Sequence, residues 1–104
     1  MTEYKIVVEE TAENDLIGIL NYISDTLHEP NTAVRIYSSV KKEILSLNKM
    51  PNRYEAVNEE PYRSMGVRSI GVEDYTVFYI VDDKQNEVHI FRILYNRREW
   101  KYLL

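Results

Sequence analysis

Two apolar stripes at helical spacing, joined by about four residues, precede three β-rich stretches whose links are two and five residues long (73–74 and 82–86). Short links cannot carry a crossover, so the three stretches must pair antiparallel, as a meander. Two helices so closely joined must turn back on each other, and a hairpin of two helices buries too little by itself. The helical hairpin therefore needs the sheet as its partner. That requirement fixes a layered α+β domain before any single residue is considered.

The first stripe is Ala12, Leu16, Ile19, Leu20, Ile23 and Leu27, with Thr11 or Glu10 as the expected cap and Pro30 as its terminator. Gly18 in its middle costs about 1 kcal/mol relative to alanine, which implies a need for a small residue there. The second stripe is Ala33, Ile36, Tyr37, Val40, Ile44 and Leu47, capped by Asn31 or Thr32 and ended before Pro51. Ahead of both, Tyr4 to Val8 reads as a strand with Tyr4, Ile6 and Val8 on one face. The β-rich stretches are Tyr62 to Val72, Tyr75 to Val81 and Val88 to Tyr95. In the middle one, Phe78 and Ile80 alternate with Val77, Tyr79 and Val81, so both faces are apolar, as in a central strand covered on both sides. Asn96 to Leu104 reads as a short closing helix, with Asn96 as cap and Glu99 behind it. The predicted order is β-α-α-β-β-β-α: an N-terminal strand and a helical hairpin packed on an antiparallel β-meander, all in one domain spanning 1–104.

Composition narrows the functional classes. The 104 residues contain no cysteine, which removes thiolate chemistry, disulfides and thiolate metal sites. No apolar run approaches the ~20 residues that a helical membrane span requires, and the N-terminus shows no signal-peptide pattern. A small cytoplasmic domain without a membrane partner is the expectation. The net charge of −4 argues against a general nucleic-acid coat protein. It conceals an asymmetry: residues 1–60 hold six basic and eleven acidic side chains, residues 61–104 seven and six.

Nucleotide, phosphate-loop, zinc-protease and serine-hydrolase motifs are all missing. His28 and His89 lie 61 positions apart without a paired carboxylate motif, so neither a metal nor another cofactor is expected. His28 reads as a cation at a helix end, and His89 as an ordinary sheet residue. Asp82 and Asp83 could be paired carboxylates, but a tight turn explains them fully. Glu9, Glu10, Glu13 and Asp15 read as a solvated first helical turn. The arginines stand out. Arg63, Arg68, Arg92, Arg97 and Arg98 are interleaved with Tyr62, Tyr95, Trp100 and Tyr102. Guanidinium beside aromatic rings suits phosphates and bases, and equally a protein–protein hot spot. Solvated surface arginines are the plain alternative; if the second strand's start and the last strand's end approach one rim, Arg63, Arg68, Arg97, Arg98 and Trp100 form one target-binding surface.

The element order resembles the RelE/ParE superfamily of bacterial toxins. So do Gly66-Val67-Arg68-Ser69-Ile70, Asp74-Tyr75-Thr76-Val77-Phe78-Tyr79-Ile80-Val81 and Ile93-Leu94-Tyr95-Asn96-Arg97-Arg98-Glu99-Trp100. Ala12-Glu13-Asn14-Asp15-Leu16, Tyr22-Ile23 and Asn31-Thr32-Ala33 are similar to that family too. The resemblance implies the toxin of a type II toxin–antitoxin pair, of the kind that stabilises plasmids, neutralised by a small wrapping antitoxin and able to form higher-order complexes with it. Such a partner requires an apolar groove at the sheet edge and helical hairpin.

Two chemistries occur in the superfamily. RelE-like members cleave mRNA on the ribosome without a metal; ParE-like members inhibit DNA gyrase by binding. Nuclease members typically carry an arginine where this chain has Thr76, and lysines or a glutamate where it has Arg68-Ser69-Ile70-Gly71. The Arg97-Arg98-Glu99-Trp100 ending resembles the ParE-like branch. Gyrase binding is therefore preferred. The alternatives are a metal-independent mRNA endonuclease, with Arg68 and Arg97 on the phosphate and Tyr102 or Glu99 in proton transfer, and an inactive fold that only binds its antitoxin.

Overall fold

The structure, a computed structural model, describes residues 3–96. The elements run β1 (Lys5–Val8), α1 (Glu10–Asn21), a π-helical turn (Tyr22–Thr26), α2 (Pro30–Ser46), β2 (Arg68–Val72), β3 (Tyr75–Asp82) and β4 (Glu87–Tyr95). The predicted closing helix, with Arg97, Arg98, Glu99, Trp100 and Tyr102, lies outside the described residues.

Strand order is β1-β4-β3-β2. The meander β2–β3–β4 is antiparallel, as its short links require. β1 adds a parallel pair on β4, so the sheet is mixed rather than antiparallel throughout. Parallel pairing is possible here because the whole hairpin and meander separate β1 from β4. Both hairpin links turn through a non-glycine residue at positive φ, Glu73 at 54° and Asn86 at 54°. Asp82 Oδ1 accepts the N–H groups of Lys84 and Gln85 at 3.0 and 3.1 Å, which assigns that carboxylate to the turn.

The core forms two clusters, one on each face of the sheet. Ala12, Ile23, Ala33, Ile36, Val40, Ile44 and Leu47 from the helices meet Ile70, Val77, Tyr79, Val88, Ile90 and Ile93. On the other face, Val57 and Val67 cover Phe78 and Leu94. The second cluster explains the doubly apolar β3, and it shortens β2. The expected strand from Tyr62 does not form. Residues 61–66 instead make turns, with Gly66 at φ 80°, and Tyr62 packs against the second cluster. Covering that apolar face removes Phe78 and Leu94 from water.

A β-bulge at Phe91 separates the pairs Phe78↔Arg92 and Tyr79↔Ile90. Phe91 is the extra residue. The slip keeps Val88, Ile90 and Ile93 on the helical face although strict alternation would have turned Ile93 away.

The helical expectations need four corrections. α1 starts after Glu9 without a side-chain cap, because the Thr11 hydroxyl donates to Phe91 O at 2.7 Å instead. The π turn widens the end of the first helical segment, with Leu27 N–H donating to Tyr22 O, so Ile23 stays buried while Leu27 rotates out to 45% exposure. Pro30 opens α2 at its first position, where a missing N–H costs nothing, and neither Asn31 nor Thr32 caps it. Tyr37 leaves the buried stripe as well, at 43% exposure.

At the far end of α2, Arg53 acts as the cap. Its guanidinium donates to Lys49 O at 2.7 Å and to Ser46 Oγ at 2.9 Å.

Candidate partner-binding groove

β1 ends opposite Ile90, which leaves the upper half of β4 without a strand on the edge away from β3. Helix α1 takes over that edge. Glu9 N–H donates to Ile90 O at 2.8 Å, Thr11 Oγ1 donates to Phe91 O, and Asp15 Oδ2 accepts Ile93 N–H at 2.9 Å. One backbone N–H and two side chains thus satisfy a strand edge that would otherwise invite another chain. Between α1 and this end of β4 a groove of about 810 Å³ opens.

The groove runs between the hairpin and the sheet end formed by Glu73–Tyr75 and Arg92–Tyr95. Its apolar lining includes Ile19, Ile23, Leu27, Tyr75 and Tyr95. The rings of Tyr75 and Tyr95 sit 5.7 Å apart at 56°. Two ion pairs brace the walls. Arg92 donates bidentately to Asp15, Nε to Oδ2 at 2.7 Å and Nη2 to Oδ1 at 3.0 Å. Arg35 pairs with Glu73 and ties α2 to the β2–β3 turn. The Arg35 contact holds the Glu73 carboxyl below its ordinary value, the Asp15 contact raises that of Arg92, and burial raises that of the Tyr75 phenol. Gly18 also lines the groove, and a Cβ there would meet nothing within 4 Å. The small residue is not demanded by packing within this chain.

The groove mouth holds the end of β4 at two points. Asn96 N–H donates to Asp74 O at 2.9 Å, and Thr76 Oγ1 donates to Asn96 Oδ1 at 2.5 Å. Thr76, at the position where nuclease members carry an arginine, therefore anchors the residue from which Arg97 and Arg98 continue.

Arg68 lies elsewhere. β2 and β4 run in the same direction on either side of β3, so the start of β2 cannot meet the end of β4. Arg68 pairs with Tyr79 while Tyr95 pairs with Tyr75. Four positions along a strand correspond to roughly 13 Å. The expected shared rim is corrected by this register. The Arg68 guanidinium donates to Tyr54 O and, at 3.4 Å, to Asn52 O. Its neighbour Tyr79 donates its hydroxyl to Pro51 O at 2.8 Å. The two side chains clamp the loop that follows α2. Arg63 is exposed on the covering loop and donates to Asn58 Oδ1 at 3.2 Å.

His89 is more than a sheet residue. Its Nδ1 faces Glu9 Oε1 at 2.7 Å and its Nε2 faces Glu87 Oε1 at 3.0 Å. The Glu9 contact is the main cause of a raised histidine pKa, with Glu87 adding to it. Among the described residues, Asp82, Glu87 and His89 form a group whose ligand-type atoms lie within 4.8 Å of one another. With carboxylates on both ring nitrogens, the arrangement suits an imidazolium. Glu9 and Asp15 are thus bonded to β4 residues, whereas Glu10 and Glu13 remain the exposed acidic residues of the first turn. His28, at φ 55°, sits in the turn between the hairpin helices.

Sequence reasoning missed the parts played by Asp15, Arg35 and Glu73, because their partners lie 38 to 78 positions away. The available signal was Asp15 at the edge of the α1 apolar stripe, one residue before Leu16.

Among the described residues, no helix is long and apolar enough to cross a membrane. Residues 6–100 match a family model described as the ParE toxin of the type II toxin–antitoxin system parDE. No curated protein matches the sequence. Solved structures show the same fold. A chromosomal ParDE system from P. aeruginosa contains a chain 21% identical, with a TM-score of 0.72, covering 89% of this chain and 96% of that one. The RelBE2 toxin–antitoxin complex of Mycobacterium tuberculosis gives 22% identity and a TM-score of 0.64 over 91% and 93% of the two chains. A mutant of E. coli toxin RelE in the free state gives 14% and 0.63 over 98% and 93%.

Proposed function

The chain belongs to the ParE toxin family of type II toxin–antitoxin systems, and we propose that it stops growth by holding DNA gyrase, with a cognate antitoxin seated in the groove as its inhibitor. The observation that carries the gyrase reading is the family match over residues 6–100, joined to the state of Thr76. A nuclease needs a cationic group for the phosphorus charge together with a proton acceptor and donor. Thr76 supplies no charge, and its hydroxyl is spent on Asn96. Arg68 is spent on loop carbonyls and Arg92 is bound to Asp15.

Under this reading Arg97, Arg98 and Trp100 carry the gyrase contact, continuing from the anchored Asn96. Arg63 contributes from the exposed covering loop, while Arg68 holds the loop that follows α2 in place. The groove supports the antitoxin half of the reading: it is open, and exposed Tyr22, Leu27 and Tyr95 give it an apolar stretch between charged residues.

Supercoiling by purified gyrase, measured with increasing toxin, tests the proposal alongside primer extension on mRNA after brief induction. Inhibited supercoiling with intact transcripts is expected. Codon-phased cuts with unimpaired gyrase would overturn the gyrase reading and favour the endonuclease. Normal growth with neither effect would leave a fold that only binds its antitoxin.

A further inference from the structure

Six charged side chains line the groove: Asp15, Glu29, Glu73, Asp74, Arg35 and Arg92. Both cations are engaged within the chain, Arg92 with Asp15 and Arg35 with Glu73. The remaining charge, two negative units, resides on Glu29 and Asp74. Both residues are exposed, and they stand on different elements, Glu29 at the start of α2 and Asp74 in the β2–β3 turn. Among the described residues neither carboxylate has a side-chain partner. The apolar surface between them includes Ile19, Ile23, Leu27 and Tyr75.

We propose that the groove selects a basic amphipathic segment of the antitoxin, whose aliphatic ridge seats on that apolar surface and whose Lys or Arg side chains pair with Glu29 and Asp74. This rests on the reading that the antitoxin occupies the groove. A partner covering the apolar surface must also take water from the two carboxylates. Leaving a carboxylate desolvated and unpaired is costly, so a neutral or acidic segment is rejected where a cationic one is accepted. Like-charge juxtaposition disfavours a second copy of this chain, which carries a net charge of −4. The pairing makes Glu29 and Asp74 specificity-determining residues, and it makes association with the antitoxin fall with added salt.

The test is calorimetric titration of the toxin with the small protein encoded beside its gene, between roughly 0.05 and 0.5 M NaCl. The variants are Glu29→Gln, Asp74→Asn and their combination, with Glu55→Gln, outside the groove, as control. Asn at 74 keeps the turn chemistry, and an unchanged unfolding midpoint establishes that the variants fold. The double variant should bind about tenfold more weakly at low salt and lose most of its salt dependence, while the control behaves as wild type. A short amphipathic Leu/Lys peptide should compete for the groove and its Leu/Glu counterpart should not. Wild-type affinity and salt dependence in the double variant would overturn the charge rule while leaving the antitoxin reading intact. Failure of the wild-type toxin to bind that protein at all would overturn the antitoxin reading itself, and a salt-insensitive dimer of the isolated chain through the groove would overturn the choice of occupant.

Discussion

Asp15 and Arg92, 77 positions apart, join helix α1 to the open edge of β4: the carboxylate takes two donors from the guanidinium and a third from the backbone of Ile93. The Asp15 side chain thereby takes over, at Ile93, part of the edge that β1 is too short to cover. The Asp15 and Arg92 side chains are only 16% and 25% exposed, so their bonds are poorly replaced by water.

Asp15→Ala should therefore destabilise the protein by about 2 kcal/mol, since it leaves a guanidinium and a strand N–H with reduced satisfaction. Asp15→Asn keeps one oxygen acceptor and should cost less. Chemical denaturation with equal m-values in all three proteins checks the ranking.

The His89 cluster predicts a pH dependence of definite sign. Glu9 and Glu87 raise the folded-state pKa above the ordinary 6.5, with Asp82 close by on the end of β3. The stabilisation from the imidazolium is thus fully present below pH 6.5 and fades as pH rises through the raised folded value. Thermal midpoints should fall over that interval, and His89→Gln should flatten the slope. A histidine titration by NMR showing a folded pKa at or below 6.5 would contradict the cluster's role.

Arg68 and Tyr79 make a separable pair of expectations. Tyr79→Phe removes the bond to Pro51 O and should cost about 1 kcal/mol. Burial pushes the Tyr79 phenol up to about 12, so its absorbance change in an alkaline titration should come late. Arg68→Ala should loosen the 52–54 loop by about 1–2 kcal/mol, with growth inhibition falling only as far as folded protein is lost. Loss of inhibition at unchanged stability would assign Arg68 to the target instead.

Gly18→Ala should stabilise the free protein by roughly 0.5–1 kcal/mol, because an added Cβ meets no atom in this chain and a helix interior favours alanine. The same substitution adds bulk to the groove, so the unfolding midpoint should rise while affinity for the antitoxin stays level or drops.

The helical hairpin and the meander were legible because their evidence is local: apolar spacing along α1 and α2, and links too short for a crossover. The doubly apolar β3 even announced the second cluster around Phe78 and Leu94. What failed was phase. The π turn at Tyr22–Thr26 and the bulge at Phe91 each shift a pattern, and neither leaves a residue signature that periodicity can detect. The expected meeting of the second strand's start with the last strand's end failed for a topological reason, since β2 and β4 run in the same direction and carry Arg68 away from the end at Asn96.

Amino-acid order alone determined the layers of this protein, its element sequence as far as β4 and its family resemblance, because each follows from neighbours a few positions apart. Folding in three dimensions decided which charges were spent. Asp15, Arg35, Glu73 and Arg92 find partners only when distant segments meet, and Glu29 and Asp74 stand out as unspent only after those partnerships are counted. Charge pairing depends on distance in space, and the linear chain does not encode that distance in any local pattern.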